Sequence, residues 1–316
     1  MDILLLVGGL VVLVVGGELL VRGASNLAYS IHISPMVVGL TIVAFGTSAP
    51  ELLISLKSAL AGSDAISIGN VVGSNICNLG LVMGITAMFY PIFVSTNSIK
   101  VDWLMTMGSA LLLYFFISKD MAVNHFEGVI FVLILAIYTY FLIEMSRRET
   151  REKMIEDDEE IPQVQGKAIL KECLILGAGC VGLYFGAEWF VKGATNIAYD
   201  FGVSKRIVGL TIVALGTSLP ELVTSTIAAY KKNTDLALGN LLGSCIFNVL
   251  SILGITSIIK EVSVTQEVIS TDMLWMMGVI LLVLPMMISR RKIGRIEGGI
   301  LIAYYGAFMY FVIISP

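Results

Sequence analysis

The chain repeats itself at a constant offset of 170 residues. Residues 41–52, with the sequence TIVAFGTSAPEL, match residues 211–222, with the sequence TIVALGTSLPEL. Between residues 16–80 and 186–250, 30 of the 65 gap-free pairs are identical. Self-similarity of this length indicates a tandem duplication, so the fold of one half constrains the fold of the other.

The composition places both halves in a membrane. Hydrophobic residues make up 57% of the 316 residues and charged residues only 14%, whereas a soluble domain carries about 25% charged residues. A transmembrane helix needs about 20 apolar residues. Ten segments meet this requirement, near residues 3–21, 36–60, 66–88, 101–118, 126–145, 168–191, 206–230, 236–258, 271–289 and 296–314.

Each half therefore contains five predicted spans, and five is an odd number. The second copy must then enter the membrane upside down relative to the first. We predict an all-α polytopic membrane protein with ten transmembrane helices arranged as two inverted-topology five-helix repeats, an arrangement typical of secondary transporters. The repeats are residues 1–145 and 168–316. The charged stretch 146–167 between them is predicted to be a flexible linker.

The distribution of basic residues predicts the orientation. With ten spans, both termini lie on one side, and the loops of that side carry 6 Lys and Arg against 14 on the other side. Basic residues are enriched in cytoplasmic loops. We therefore expect a multi-pass protein of the cell membrane, with both termini outside and the 146–167 linker in the cytoplasm.

One unusual segment occurs in each half, GTSAPE at residues 46–51 and GTSLPE at residues 216–221. A proline inside a helix removes one backbone hydrogen bond, so each helix should unwind here and free carbonyl oxygens. Glu51 and Glu221 follow directly, and no Lys or Arg is expected at the same depth to pair with them. Carbonyl, hydroxyl and carboxylate oxygens are ligands that Ca²⁺ and Na⁺ prefer, so a bound cation is the natural counter-charge.

A second paired motif, GN-x-x-GS-x-x-x-N, follows each of these segments. Ser74 and Asn78 are four residues apart and share one helix face, and Ser244 and Asn248 repeat the arrangement. These side chains can supply neutral oxygen ligands. The alternative is that they form hydrogen bonds between helices as packing contacts. Asn70 and Asn240, the second residue of each motif, are expected to cap a helix or to form packing contacts.

Together these motifs resemble the two alpha-repeats of the sodium/calcium exchangers, within the calcium/cation antiporter superfamily. The resemblance covers nearly the whole chain. It implies that Glu51 and Glu221 share a central Ca²⁺ site. It also implies further ligands: Thr47 and Thr217 at the centre, Ser48, Ser74 and the Ala44 carbonyl in a sodium site towards one face, Ser218, Ser244 and the Ala214 carbonyl in its mirror, and Asn78 and Asn248 beside the centre.

The function implied by the resemblance is secondary active exchange of Na⁺ for Ca²⁺ by alternating access, with about three Na⁺ per Ca²⁺. It implies Ca²⁺ and Na⁺ as transported ions, H⁺ as a competitor and lipid as the surroundings, with no cofactor, catalytic residue, nucleic acid or obligatory protein partner. An H⁺/Ca²⁺ antiporter of the same superfamily is the nearest alternative. A passive cation channel is a weaker one. An intramembrane enzyme is disfavoured, because the sequence has no HExxH motif, catalytic Asp pair or Ser/Lys dyad at membrane depth.

Overall fold

The fold is a bundle of long apolar helices. The computed structural model describes residues 1–156, 166–203, 208, 212 and 214–314. Within these residues, eight helices are long and apolar enough to cross a membrane, and a bent pair, Pro35–Thr47 with Ala49–Leu60, is a ninth candidate. The predicted helical membrane fold is confirmed. The count of ten is not, because the remaining predicted span, 206–230, lies partly outside the described residues.

The helices follow the order predicted from the apolar segments. In the first half they are α1 (Asp2–Ser30), α2 (Pro35–Val38), α3 (Ala44–Thr47), α4 (Ala49–Leu60), α5 (Asp64–Cys77), α6 (Met83–Phe89), α7 (Leu104–Asp120) and α8 (His125–Glu156). In the second half they are α9 (Gly166–Asp200), α10 (Ala214–Thr217), α11 (Leu219–Tyr230), α12 (Thr234–Phe247), α13 (Gly254–Ile259), α14 (Met273–Ser289) and α15 (Arg295–Ile314). Wider π-helical turns join or extend some of them, at Gly39–Val43, Asn78–Val82, Ser98–Trp103, Asn248–Leu253 and Val268–Asp272.

Two short antiparallel ribbons connect the halves and show that they are inverted. Strand β1 (Ile92–Phe93) pairs with β4 (Lys292–Ile293), and β2 (Ala122–Val123) pairs with β3 (Val262–Ser263). The 170-residue offset relates β1 to β3 and β2 to β4, so exchanging the two halves converts the first ribbon into the second. Because β1 and β2 lie at opposite ends of α7, and β3 and β4 at opposite ends of α14, these two equivalent helices run in opposite directions. This is the inversion that the odd number of spans predicts.

Helices α1 and α9 pack along a seam of glycines. A Cβ atom on Gly16 would lie 2.7 Å from the backbone nitrogen of Leu183, and one on Gly186 would lie 2.6 Å from that of Leu13. Glycine therefore allows the two backbones to approach closely. The seam residues recur every seven positions on both helices, at Gly9, Gly16, Gly23, Gly179, Gly186 and Gly193.

Both ends of this helix pair carry equivalent polar contacts. Asn26 Nδ2 donates to Glu172 Oε2 at 3.2 Å, and Asn196 Nδ2 donates to Asp2 Oδ1 at 2.7 Å. The two contacts are exchanged by the 170-residue offset. They hold α1 and α9 in register at each end, where a one-residue slip would break both.

The centre of the bundle is formed by two further equivalent spans, Asp64–Phe89 and Thr234–Ile259. In each of them 78% of the residues of the apolar window are buried inside the protein, against 22–44% in the other single-helix spans that the structure describes. Lipid-facing spans expose large apolar side chains, such as Phe115 of α7 and Ile137 of α8. Among the eight single-helix spans that the structure describes, these two are therefore the ones in which most residues face protein.

The predicted linker, 146–167, begins later in the structure than the sequence indicates. Helix α8 continues to Glu156, so residues 146–156 are helical rather than part of a flexible linker. The Ser146 hydroxyl accepts the backbone N–H of Ser34 at 2.7 Å, and Asn97 donates to Glu149 at 2.8 Å. These contacts fix the charged extension of α8 against two loops. Residues 157–165 lie outside the described residues.

We expect Gly16→Ala to lower the melting temperature of the detergent-solubilised protein, because its Cβ would meet backbone atoms that cannot move aside. Overpacking of this kind costs about 1–3 kcal/mol. Gly8→Ala is the matched control, since a Cβ at Gly8 on the same helix meets nothing within 4 Å. Equal melting temperatures for the two variants would contradict the close packing of α1 on α9.

Candidate functional site

Both GTS-x-PE segments interrupt their helices at the serine. Helix α3 ends before Ser48, which has φ −87° and ψ 6°, and α10 ends before Ser218, which has φ −90° and ψ 5°. In the first half the helix axis bends by 46° at this point. The predicted break is confirmed, but it is only one residue long, because a new helix begins at the next position.

The backbone around the break keeps some of its hydrogen bonds. The Ser48 N–H donates to the Ala44 carbonyl at 3.0 Å, and Thr47 Oγ1 contacts the same oxygen at 3.3 Å. In the second half the Ser218 N–H donates to the Leu215 carbonyl at 3.1 Å instead of to Ala214. The serine N–H groups of the two breaks therefore donate at different spacings, to the fourth preceding residue at Ser48 and to the third at Ser218, so the backbone of the two breaks differs in this conformation.

The break brings two glutamates into the protein interior. Glu51 and Glu221 are 1% and 0% exposed, and they are close enough for their negative charges to repel each other. The Ser48 hydroxyl donates to Glu221 Oε1 at 3.1 Å, which links the break of one half to the carboxylate of the other. Among the described residues, both Glu51 oxygens and Glu221 Oε2 have no hydrogen-bond partner. Buried carboxylate oxygens without partners are costly, so this site has an unmet demand for positive charge.

Neutral oxygens with unmet hydrogen-bonding capacity also lie in these helices. Asn78 Oδ1 and Asn248 Oδ1 are buried, and neither has a partner among the described residues. Ser218 Oγ lies beside the Cys77 sulfur without forming a hydrogen bond of normal geometry. Within the described part of the chain, no group of three or more His, Cys, Asp or Glu residues could hold a metal ion. A cation bound here must therefore take part of its ligands from neutral oxygens.

A cluster of hydroxyl and amide groups connects the halves beside the carboxylates. Thr47 Oγ1 lies 3.2 Å from Asn240 Oδ1 and 3.5 Å from Ser244 Oγ. Asn240 Nδ2 donates to Ser225 at 2.9 Å, and the equivalent Asn70 Nδ2 donates to Ser55 at 2.9 Å. These bonds fit the expectation that Asn70 and Asn240 form packing contacts and do not bind an ion.

The remaining predicted site residues occupy two environments. Ser74 is buried in α5, whereas Thr217 is half-buried at the end of α10 and lines a cavity. Ala214 begins α10. Of the predicted site residues, Ser48 and Glu221 are in direct contact, and Glu51 lies near Glu221.

A cavity of about 430 Å³ reaches the breaks from one side. Its lining includes Pro50 and Pro220, the residues that immediately precede the two buried glutamates. Exposed charged residues lie on its wall as well, namely Lys57, Glu188 and Lys192. The cavity therefore borders both helix breaks and carries charged side chains, while neither glutamate lines it.

Three residues near the site were missed by the sequence analysis, namely Asn75, Cys77 and Cys245. Asn75 of the first half contacts Cys245 of the second half. The Cys77 thiol lies close enough to Glu51 and Glu221 to interact electrostatically with them. One signal was available: Asn75 and Cys245 occupy equivalent positions of the repeat but differ in type.

Comparison with known proteins agrees with this geometry. The family described as sodium/calcium exchanger protein matches the chain over residues 1–144 and 171–314. The chain belongs to the sodium/calcium exchanger family. This membership places it in the cation/Ca²⁺ antiporter superfamily, as the motifs predicted, and its relatives are exchangers and antiporters.

Relatives match over nearly the whole chain. Antiporter CaxA of Alkalimonas amylolytica is 36% identical over 312 residues, which cover 97% of each chain. Sodium/calcium exchanger MaX1 of Methanosarcina acetivorans is 31% identical, covering 98% of this chain and 97% of its own. Among solved structures, the sodium-calcium exchanger NCX_Mj soaked with zero Na⁺ and Ca²⁺ superposes with a TM-score of 0.84 at 29% identity and 98% coverage of both chains. The family and the helical transporter fold are thus shown together.

We expect Glu51→Gln and Glu221→Gln each to weaken Ca²⁺ binding to the purified protein by more than about 100-fold. Removing one charge that balances a buried ion costs roughly 3–5 kcal/mol. Isothermal titration with CaCl₂ measures the effect.

The control for these substitutions is Glu127→Gln. Glu127 is also buried, but its Oε2 accepts the backbone N–H of Asn124 at 2.9 Å, and an amide oxygen can accept the same bond. Its Ca²⁺ affinity should stay at the wild-type value. A Glu51 or Glu221 variant that binds Ca²⁺ as well as this control does would exclude that glutamate from the site.

Proposed function

We propose that the chain exchanges Na⁺ for Ca²⁺ across the cell membrane by alternating access. The observation that carries this proposal is the pair of buried, mutually repelling carboxylates, Glu51 and Glu221, with three carboxylate oxygens that lack partners among the residues that the structure describes. No ion pair in the described part of the chain involves either glutamate, so the compensating charge is expected to come from the transported ions.

Charge balance explains why two kinds of ion would exclude each other. The two carboxylates together carry a charge of about −2, which one Ca²⁺ neutralises. Several Na⁺ ions that share these ligands would neutralise the same charge, and about three would exceed it by one. Because the two states use the same oxygens, Ca²⁺ and Na⁺ would not occupy the site together. Exchange follows from this competition when the site opens to one side at a time.

The neutral oxygens support Na⁺ as the coupling ion. A proton needs only the carboxylates, whereas Na⁺ needs several oxygen ligands, as other hard cations do. The Ser48 hydroxyl donates a hydrogen bond to Glu221, and the neighbouring Thr47 hydroxyl contacts that of Ser244 from the other half. We therefore assign ligand roles to the hydroxyls of Thr47, Thr217, Ser48, Ser218, Ser74 and Ser244, the amides of Asn78 and Asn248, and the carbonyls of Ala44 and Ala214.

The cavity beside Pro50 and Pro220 is the proposed access path of one side. The inverted repeat would supply an equivalent path to the opposite side when the two halves exchange roles. Helices α1 and α9 are the proposed moving element. Their glycine seam and the contacts at its two ends join them closely, so they would move as one unit. Both termini would lie outside, and the loop between the halves would face the cytoplasm.

Reconstituted protein tests the coupling ion directly. Proteoliposomes loaded with Na⁺ should take up ⁴⁵Ca²⁺ when diluted into Na⁺-free buffer. The same vesicles should take up at most a small fraction of that amount when a pH gradient replaces the Na⁺ gradient. Varying external K⁺ should leave the uptake unchanged.

Two results would contradict the proposal. Uptake that follows the pH gradient without Na⁺ would identify an H⁺/Ca²⁺ antiporter. Uptake that needs no opposing gradient would identify a channel. Glu51→Gln in the same vesicles is the negative control, and Glu127→Gln is the positive one.

A further inference from the structure

The two central helices cross where the duplicated halves differ. Asn75 of α5 and Cys245 of α12 occupy equivalent positions of the repeat and face each other. Asn75 Nδ2 donates to the Cys245 carbonyl at 3.2 Å, and the Cys245 thiol lies 3.9 Å from the Asn75 carbonyl. The backbone contacts are reciprocal, but only one of the two side chains is an amide.

The orientation of the Asn75 amide is fixed by its neighbours. Its Nδ2 contacts the Cys245 carbonyl and, at 3.5 Å, the sulfur of Met276, both of which are acceptors. A flipped amide would turn its oxygen towards these acceptors, so Oδ1 must point the other way. On that side, Asn75 Oδ1 accepts a hydrogen bond from Asn248 Nδ2 at 3.0 Å.

This bond determines what Asn248 can offer. Its nitrogen is occupied by Asn75, while its Oδ1 is buried and has no partner among the described residues. Asn78 is the equivalent residue of the first half, and there both amide atoms lack a partner among the described residues. Cys245 stands where an orienting amide for Asn78 would stand. One central asparagine is thus held by a hydrogen bond and the other is not.

We infer that Asn75 is a positioning residue that turns the Asn248 oxygen towards the transported cation. The inference rests on the proposed function for its cation, and it assigns different tasks to the two halves of the site. The Asn248 oxygen is set in place before the ion arrives, whereas Asn78 must adopt its orientation as the ion binds. Pre-orientation removes part of the ordering cost of binding.

The test is direct Ca²⁺ binding by four purified proteins: wild type, Asn75→Leu, Asn248→Ala and the double variant. One hydrogen bond that orients a ligand contributes about 1 kcal/mol, so Asn75→Leu should raise the Kd for CaCl₂ by roughly five- to tenfold. In the Asn248→Ala background the same substitution should change Kd by less than about twofold, because the group on which it acts is gone. A purely structural role would lower affinity equally in both backgrounds.

Further variants keep the result interpretable. Cys245→Ala is the matched control, since it alters the equivalent position without removing an orienting amide, and its Kd should equal the wild-type value. Asn75→Ala removes the same hydrogen bond with a smaller side chain and replaces Asn75→Leu if that variant does not give a monodisperse peak in size-exclusion chromatography.

Two outcomes overturn the inference, namely an unchanged Kd in a folded Asn75 variant, or an equal shift with and without Asn248. The proposed function fails in a different way. Titration with CaCl₂ does not depend on the coupling ion, so pH-driven transport would refute Na⁺ coupling and leave the Asn75 result intact. Wild-type Kd values in the Asn75 variants, with Na⁺-driven uptake present in wild type, would refute the inference alone.

Discussion

The structure is organised around two buried negative charges that no described residue balances. Glu51 and Glu221 are buried, repel each other and leave three oxygens without partners in the described structure. A charge in such surroundings is costly unless an ion accompanies it. Every nearby element can be understood from this constraint. The breaks at Ser48 and Ser218 bring the carboxylates inside, and the two central spans pack against the helices that carry them.

The fold combines firm connections at its edges with incomplete bonding at its centre. The two strand ribbons and the glycine seam join the halves with backbone hydrogen bonds and close helix contacts. At the centre, by contrast, Asn78 has no hydrogen-bond partner among the described residues. A site that must bind and release cations needs oxygens that the protein does not satisfy by itself. The edges supply the stability that such a centre lacks.

Local chemistry made much of this fold and site predictable. Proline directly before Glu51 and Glu221 predicts a break in each helix because it removes a backbone hydrogen bond, and an odd number of spans per repeat requires inversion. The missing features depend on partners far apart in the chain. The bond from Asn75 to Asn248 joins residues 173 positions apart, and only helix packing brings them together. The extension of α8 to Glu156 was missed because a charged, aromatic-poor stretch resembles a linker until Ser34 and Asn97 are seen to contact it.

The strand ribbons also bear on how such a chain could arise. Each ribbon takes one strand from each half, and the two ribbons are equivalent under the repeat. A single half would therefore have two strand edges that need partners, and an antiparallel second copy of the same half offers both. The ribbons, the glycine seam and the paired breaks are the contacts of a symmetric dimer. Fusion of two oppositely inserted subunits would keep every one of these contacts, and it would then free each copy to change alone, as Asn75 and Cys245 have done.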